Sequence, residues 1–251
     1  MTQEEFERKL DEAANGDEVA ALDVGDHLIK VGTADSIDLA LFWYKKAIDN
    51  GSVLGVLKAM AVHKVKATVA KACFDLDAME AYIGEIYDLY SLIPQDEKWP
   101  SFFADGVQEI YAYANYLLAF VKFEREDYTQ AITLLDEIDV EKTPTPLAHI
   151  LMGCCCFSIR QIANAHILLS SLERSTEKVV SASEDDMDQF LLAKAFGYLS
   201  IILRIGEKNI QGAYNVLKKG SELLTNEDCK GLLLTEMAHY RPKLFGGLQY
   251  V

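Results

Sequence analysis

The sequence is poor in helix-breaking residues and in basic side chains. Its 251 residues include 15 glycines and 5 prolines, below the average usage of about 7% and 5%. Lysine and arginine number 24 against 39 acidic residues, which gives a formal net charge of −15. No run of even four basic residues occurs. Because binding to nucleic acid or to an anionic membrane needs clustered positive charge, the composition excludes both kinds of partner.

Long apolar runs are also missing. One of the longest, 191–205, contains Lys194 and Arg204 and is shorter than the roughly 20 residues that span a bilayer, so we predict no transmembrane helix. The chain begins with acidic residues where a secretory signal is basic, so we expect a cytoplasmic protein. Three of the five cysteines are adjacent at 154–156, a spacing that suits neither a disulfide framework nor a zinc site. We interpret these three as small buried residues.

Helical periodicity is present throughout the chain. Apolar residues recur at intervals of three and four, and the prolines fall between the periodic runs. The pattern predicts an all-α fold with helices near 2–14, 17–31, 36–49, 53–72, 76–92, 104–124, 128–139, 146–158, 161–174, 186–205, 208–224 and 227–238. We expect them to form an α-solenoid of about six antiparallel helix hairpins.

An internal repeat supports this architecture. An alanine on the second helix of a predicted pair is followed by small or apolar residues four and seven positions later. Four such sets occur: Ala40, Tyr44 and Ala47; Ala131, Leu135 and Ile138; Ala165, Leu169 and Leu172; Ala213, Leu217 and Gly220. The step from Ala131 to Ala165 is 34 residues, the length of a two-helix repeat. A small residue at this position lets two helices approach closely.

Two segments resemble known repeat families. Segment 113–172 is similar to two tetratricopeptide repeats, with Tyr128 before Ala131 and a helix-ending break at Pro144. Segment 17–51 is similar to a Sel-like repeat, in which small residues, an aromatic pair and a closing glycine recur. The matching residues here are Ala21, Gly25, Gly32, Ala40, Trp43, Tyr44, Lys46, Ala47 and Gly51.

The resemblance implies a domain organisation. Residues 1–95 are expected to form Sel-like repeats, and residues 96–251 are expected to form tetratricopeptide-like repeats. An acidic insertion near 175–188 interrupts the second part, and we expect it to be a solvated loop. Both parts are expected to form one continuous solenoid.

Motifs for catalysis, cofactors and metals are missing from the sequence. It has no glycine-rich phosphate loop and no nucleophile elbow. The histidines are scattered, with no zinc-ligand spacing. His149, Cys156 and His166 lie on neighbouring predicted helices, but a histidine on a packed helix is more often structural. We therefore predict no enzyme activity, no cofactor and no metal site.

The expected function is that of an intracellular scaffold. The resemblance implies a concave face, lined by first helices, that binds a protein or peptide. Candidate groove residues are the polar or aromatic ones on these helices, namely Asn115, Lys122, His149, Arg160 and Tyr198. A homodimer is left open. The alternative is a sensor or regulator of the same fold that binds a peptide or a small ligand.

Tyrosines crowd the middle of the chain and have two interpretations. Pairs such as Tyr87 and Tyr90 share a helix face. The group either fills a hydrophobic seam or lines a binding groove, where tyrosine offers contact area and a polar tip. Its members are Tyr82, Tyr87, Tyr90, Tyr111, Tyr113 and Tyr116.

Overall fold

The computed structural model describes residues 2–94, 98–138, 147–172 and 185–240. Within these ranges the chain forms twelve helices and no strand, which confirms the all-α prediction. The helices are α1 Gln3–Ala14, α2 Glu18–Val31, α3 Ala34–Asp49, α4 Val53–Ala72, α5 Leu76–Ser91, α6 Ser101–Glu124, α7 Tyr128–Asp136, α8 Leu147–Ser158, α9 Ile162–Leu169, α10 Asp186–Ile205, α11 Ile210–Leu223 and α12 Glu227–Ala238.

Consecutive helices pack as antiparallel hairpins, the repeating unit of an α-solenoid. The two helices of a pair pack against each other in α2–α3, α8–α9 and α10–α11. In α4–α5 the rings of His63 and Tyr82 are 6.2 Å apart, and in α6–α7 those of Phe123 and Tyr128 are 5.7 Å apart. Five hairpins therefore lie between α1 and α12, close to the predicted number of about six.

The turn inside each hairpin has the same backbone form. One residue adopts a left-handed conformation and the next residue is the N-cap of the second helix. The left-handed residues are Gly32, Phe74, Glu126, Arg160 and Lys208, with φ between 55° and 74°. In the turn at Phe74, the N–H of the following residue, Asp75, donates to the carbonyl of Ala70, as in a Schellman turn. Because four of the five positions are not glycine, this repeated turn could not be predicted from the residue types.

The predicted small-residue contacts are confirmed. All twelve residues of the four alanine sets are buried. In two hairpins a glycine of the first helix packs against a residue of these sets. A Cβ placed on Gly25 of α2 would meet the ring of Tyr44. One placed on Gly153 of α8 would lie 2.8 Å from Cδ2 of Leu169. Tyr44 and Leu169 each follow the alanine of their set by four residues. The same type of contact with a glycine therefore occurs in both hairpins.

The start of α6 and the end of α9 are among the helix ends that differ from the predictions. The predicted start of α6 was residue 104, but the helix begins at Ser101, because the carbonyl of Pro100 accepts hydrogen bonds from the N–H groups of Phe103 and Ala104. The predicted end of α9 was residue 174, but the helix ends at Leu169. There the hydroxyl of Ser170 bonds a carbonyl of the preceding turn, as such side chains do at helix ends.

Two compact units make up the chain. The first comprises Met1–Ala70 and Asp75–Leu117, and the second comprises Lys71–Phe74 and Leu118–Val251. The domain boundary predicted between 95 and 96 falls at residues outside the described ranges. So do the break at Pro144, most of the insertion near 175–188 and the residues after 240. Measured against the length and hydropathy that a bilayer crossing needs, every described helix falls short.

Candidate functional site

The five predicted groove residues belong to different units. Asn115 lies in the first unit, and Lys122, His149, Arg160 and Tyr198 lie in the second. Arg160 is exposed, and the other three residues of the second unit are half-buried. The two groups are therefore described separately.

Asn115 is buried beneath a tyrosine. Its side chain is 1% exposed, and its Oδ1 accepts a 2.6 Å hydrogen bond from the hydroxyl of Tyr87. Its Nδ2 has no hydrogen-bond partner in the described part of the chain. Asn115 therefore does not present its amide to solvent. Its hydrogen bond instead fixes the position of the Tyr87 hydroxyl.

Tyr87 belongs to a tyrosine cluster that consists of Tyr87, Tyr90 and Tyr111, between α5 and α6. The rings of Tyr90 and Tyr111 are stacked with their centroids 4.3 Å apart and an interplanar angle of 27°. Tyr87 meets Tyr111 edge-on at 5.5 Å. All three residues are half-buried. The cluster is thus fixed by its own contacts, and its three residues are partly exposed to solvent.

The remaining central tyrosines differ in burial. Tyr116 is 1% exposed and Tyr113 is 8% exposed, as expected for a hydrophobic seam. Tyr82 is half-buried and lies under the ammonium of Lys66, 5.5 Å from its ring centroid. The structure therefore separates a buried seam at 113 and 116 from the partly exposed tyrosine cluster.

Charge is segregated among the helices around this cluster. Helix α4 contains no acidic residue, and its lysines are paired with carboxylates of other helices. Within the first unit, Lys58 bonds Asp26 of α2 at 2.8 Å. The other two pairs are Lys64 with Glu109 of α6 at 2.8 Å and Lys66 with Asp38 of α3 at 2.5 Å. The positive charges of these α4 lysines are therefore neutralised by carboxylates of the same chain.

The helices that carry the tyrosine cluster are acidic instead. Residues 76–117 contain eight acidic residues and one basic residue, Lys98. The carboxylates of Glu85, Asp88 and Asp105 have no hydrogen-bond or ion-pair partner among the described residues. Helices α5 and α6 therefore carry exposed carboxylates as well as the tyrosine cluster.

In the second unit, Tyr198 and Arg160 lie near the same end of α8. The ring of Tyr198 stacks on Phe157 with the centroids 4.3 Å apart and an angle of 16°. Burial raises the pKa of the Tyr198 hydroxyl, so it stays protonated at neutral pH. Arg160 follows α8 directly and occupies the left-handed position of the turn. Both residues therefore lie near the C-terminal end of α8.

A buried ion-pair cluster in the second unit was missed by the sequence analysis. The Nζ of Lys71 lies 2.5 Å from Asp188 and 3.2 Å from Asp185, and Lys71 is 2% exposed. Asp185 also caps α10 by accepting from the N–H of Asp188. These aspartates were expected in a solvated loop, but Asp188 is 1% exposed. They are 114 and 117 residues from Lys71, beyond the reach of any local pattern.

The adjacent cysteines are buried, as interpreted from the sequence. Cys154 and Cys155 are 0% exposed and Cys156 is 5% exposed. Burial raises the pKa of all three thiols, that of Cys155 to about 12. They therefore stay protonated and are poor nucleophiles and metal ligands. Across the described ranges, no three His, Cys, Asp or Glu side chains are grouped to hold a metal ion.

Comparisons with known proteins give limited information. No family model and no curated protein matches the sequence. Among solved structures, the chain is similar to the yeast protein Tom70, with 12% sequence identity and a TM-score of 0.33. The match covers 95% of this chain and 58% of Tom70. The chain thus spans a little over half of that structure.

Proposed function

We propose that this protein is a binding scaffold for a protein or peptide partner. The observation that carries the proposal is the tyrosine cluster, whose rings are held by one another and by Asn115. Half-exposed tyrosines fixed in one arrangement offer a large contact area at little cost in side-chain entropy. Such residues dominate the energetics of many protein interfaces.

The surface formed by Tyr198 and Arg160 is a second candidate contact. Like the tyrosine cluster, it contains an aromatic ring that is held by stacking. Tyrosine and arginine are both enriched at interface hot spots. Lys122 and His149 complete the set that we assign to a partner in this unit. Catalysis is not part of the proposal.

The test is capture of partners from a lysate of the native host by the tagged full-length chain, with quantitative mass spectrometry. We expect Tyr111→Leu to reduce capture of at least one specific partner by about tenfold, the loss typical of a hot spot. Phe42→Leu is the matched control, since Phe42 is an exposed aromatic on α3, away from α5 and α6. Asn115 is unsuitable for mutation, because its loss would disturb the core.

A result that contradicts the proposal is equal capture by wild type, Tyr111→Leu and Tyr198→Ala, with all three proteins folded by circular dichroism. A thermal shift with metabolites or short peptides tests the alternative sensor role. A shift that survives in Tyr111→Leu would place that ligand elsewhere on the chain.

A further inference from the structure

Helix α4 contacts four other helices of the first unit. The contacts are Lys58 with Asp26 of α2, Lys66 with Asp38 of α3, the ring of His63 with that of Tyr82 of α5, and Lys64 with Glu109 of α6. Lysines on different sides of α4 therefore bond α2 and α6, so α4 lies between these two helices. Its remaining side faces solvent.

The solvent side of α4 carries an apolar stripe, which consists of Leu54, Ala61, Val65 and Val69. Their spacing places the four residues within about 80° of the helix circumference. Val65 and Val69 are 59% and 58% exposed, and Leu54 is 40% exposed. Lys58 lies on the same side, but its ammonium bonds a carboxylate of α2. The solvent side of a helix is usually polar, and contiguous exposed apolar residues mark interaction sites.

The spacing of the stripe fits a second helix. Ala61, Val65 and Val69 follow one another at intervals of four residues, which is about 6 Å of helix rise. Rows at this interval form the ridges that pack into the grooves of another helix. Ala61 is small, so the axis of an incoming helix can come close. From Leu54 to Val69 the stripe is about 22 Å long, the length of about four helical turns.

Carboxylates flank the stripe on both sides. On α6, Glu109 is 51% exposed, whereas its partner Lys64 is 26% exposed. On α2, Asp26 is 39% exposed, whereas Lys58 is 27% exposed. The carboxylate is thus the more exposed charge of each pair. Helix α2 has one basic residue, Lys30, in its last turn, and the part of α6 in the first unit has none. The flanks therefore favour positive charge on a bound partner.

We propose that the apolar stripe binds an amphipathic helix of a partner protein whose apolar face is flanked by basic residues. The inference rests on the proposed scaffold function and adds a surface to it. Large apolar side chains of the partner cover Val65 and Val69, and its basic residues meet Asp26 and Glu109. The apolar contact supplies most of the affinity. The charges set the orientation and reject helices with acidic flanks.

A second copy of this chain fits the stripe less well than such a helix. Pairing two stripes would bring the carboxylates of one copy close to those of the other. Each copy carries a net charge of −15, and like charges across an interface weaken association. We therefore expect the chain to be a monomer with respect to this surface.

The experiment uses a fluorescein-labelled peptide in which the sequence Leu-Lys-Lys-Leu is repeated four times, which forms an amphipathic helix with lysine flanks. One matched peptide has glutamate in place of lysine, and another has alanine in place of leucine. Binding to the full-length chain is measured by fluorescence anisotropy at 0.15 M salt. We expect the leucine–lysine peptide to bind about tenfold more tightly than either matched peptide, because each of them lacks one of the two complementary features.

Apolar variants locate the site. The double variant Val65→Gln/Val69→Gln should weaken binding of the leucine–lysine peptide about tenfold, since it removes the apolar surface that the leucines cover. Ile167→Gln/Ile205→Gln is the matched control, because these residues of the second unit are 71% and 67% exposed. It should change binding by less than about twofold. Melting temperatures confirm that each variant is folded.

A charge variant tests the flank. Glu109→Gln should weaken binding of the leucine–lysine peptide about fivefold, because it removes a carboxylate and leaves the ammonium of Lys64 without this partner. Glu124→Gln is the matched control, since Glu124 forms an equivalent 2.8 Å pair with Lys194 in the second unit. Its effect should be less than about twofold.

Equal binding of the leucine–lysine and alanine–lysine peptides would overturn the inference, because it indicates attraction by charge alone. So would equal effects of a variant and its matched control. A wild-type dimer in light scattering that Val65→Gln/Val69→Gln converts to a monomer would show that a second copy covers the stripe, and would overturn it too.

The lysate capture experiment keeps this inference separate from the scaffold function. If the peptides fail but Tyr111→Leu still loses a partner from the lysate, the stripe inference is wrong and the scaffold function stands. If the peptides bind as expected but Tyr111→Leu and Tyr198→Ala capture the same proteins as wild type, the stripe inference stands and the contacts assigned to the tyrosines are wrong.

Discussion

Replacing Gly25 by alanine should destabilise the protein, although alanine favours helices. Gly25 lies within α2, and an added Cβ would lie 2.8 Å from Cδ1 and 2.9 Å from Cζ of Tyr44. Carbon atoms prefer a separation of about 3.5–4.0 Å. Tyr44 cannot swing aside easily, because it is 2% exposed and its hydroxyl donates to Asp26 at 2.8 Å. The ring and α2 must therefore move apart.

The magnitude follows from two opposing effects. Exchanging a helical glycine for alanine stabilises by about 1 kcal/mol. Overpacking a rigid core contact costs about 1–3 kcal/mol, and the ring of Tyr44 places Gly25→Ala in the upper half of that range. The expected net loss is about 1–2 kcal/mol, which lowers the melting temperature by about 3–6 °C for a chain of this size.

Gly84→Ala is the control, because it makes the same exchange in α5, where a Cβ meets nothing within 4 Å. It should stabilise by about 1 kcal/mol. Urea denaturation and thermal melts of both variants provide the measurement. In a Tyr44→Leu background, which removes the ring, Gly25→Ala should destabilise the protein much less. The reasoning fails if Gly25→Ala is as stable as Gly84→Ala, or if Tyr44→Leu leaves its cost unchanged.

Three further predictions concern buried ionisable groups. Lys71→Met should destabilise by about 3–5 kcal/mol, since it leaves the buried carboxylate of Asp188 without its cation; a loss under about 1 kcal/mol in urea melts would contradict this. Burial lowers the pKa of His63, so the neutral ring is favoured in the fold and stability falls as pH drops below about 6.5. The His63→Leu variant should therefore lose less stability than the wild-type protein between about pH 7.5 and 5. Equal losses of stability in the two proteins would refute the assignment of this pH dependence to His63. Iodoacetamide at about pH 8 should alkylate exposed Cys73 and spare Cys155, whose pKa burial raises to about 12; equal labelling by peptide mass spectrometry would show that Cys155 is accessible.

The helices of this protein could be predicted from sequence because their cause is local. Periodic apolar residues specify which face of each helix is buried, and short polar segments specify where the chain turns. The bounds of α4, α10 and α12 agree with the prediction to the residue. The repeat alanines were also visible, because close packing of two helices in one hairpin needs small residues at a fixed spacing.

The turns and the candidate site could not be predicted in the same way. Phe74 and Arg160 adopt a left-handed conformation that their residue types disfavour, so the packed hairpins on either side impose it. Asn115 was predicted to line the concave groove, because it is a polar residue on a first helix of a predicted pair. Its burial is decided by Tyr87, 28 residues away on the neighbouring helix.

The sequence by itself determined the fold class, the approximate positions of the helices and the repeated small-residue contact, since each depends on spacing along one hairpin. Only the tertiary structure decided which charges are paired within the protein. Lys58, Lys64 and Lys66 are paired by carboxylates from three other helices, whereas Asp88 and Asp105 are not paired in the described ranges. Net charge is a sum over residues, but recognition depends on which side chains the packing brings together.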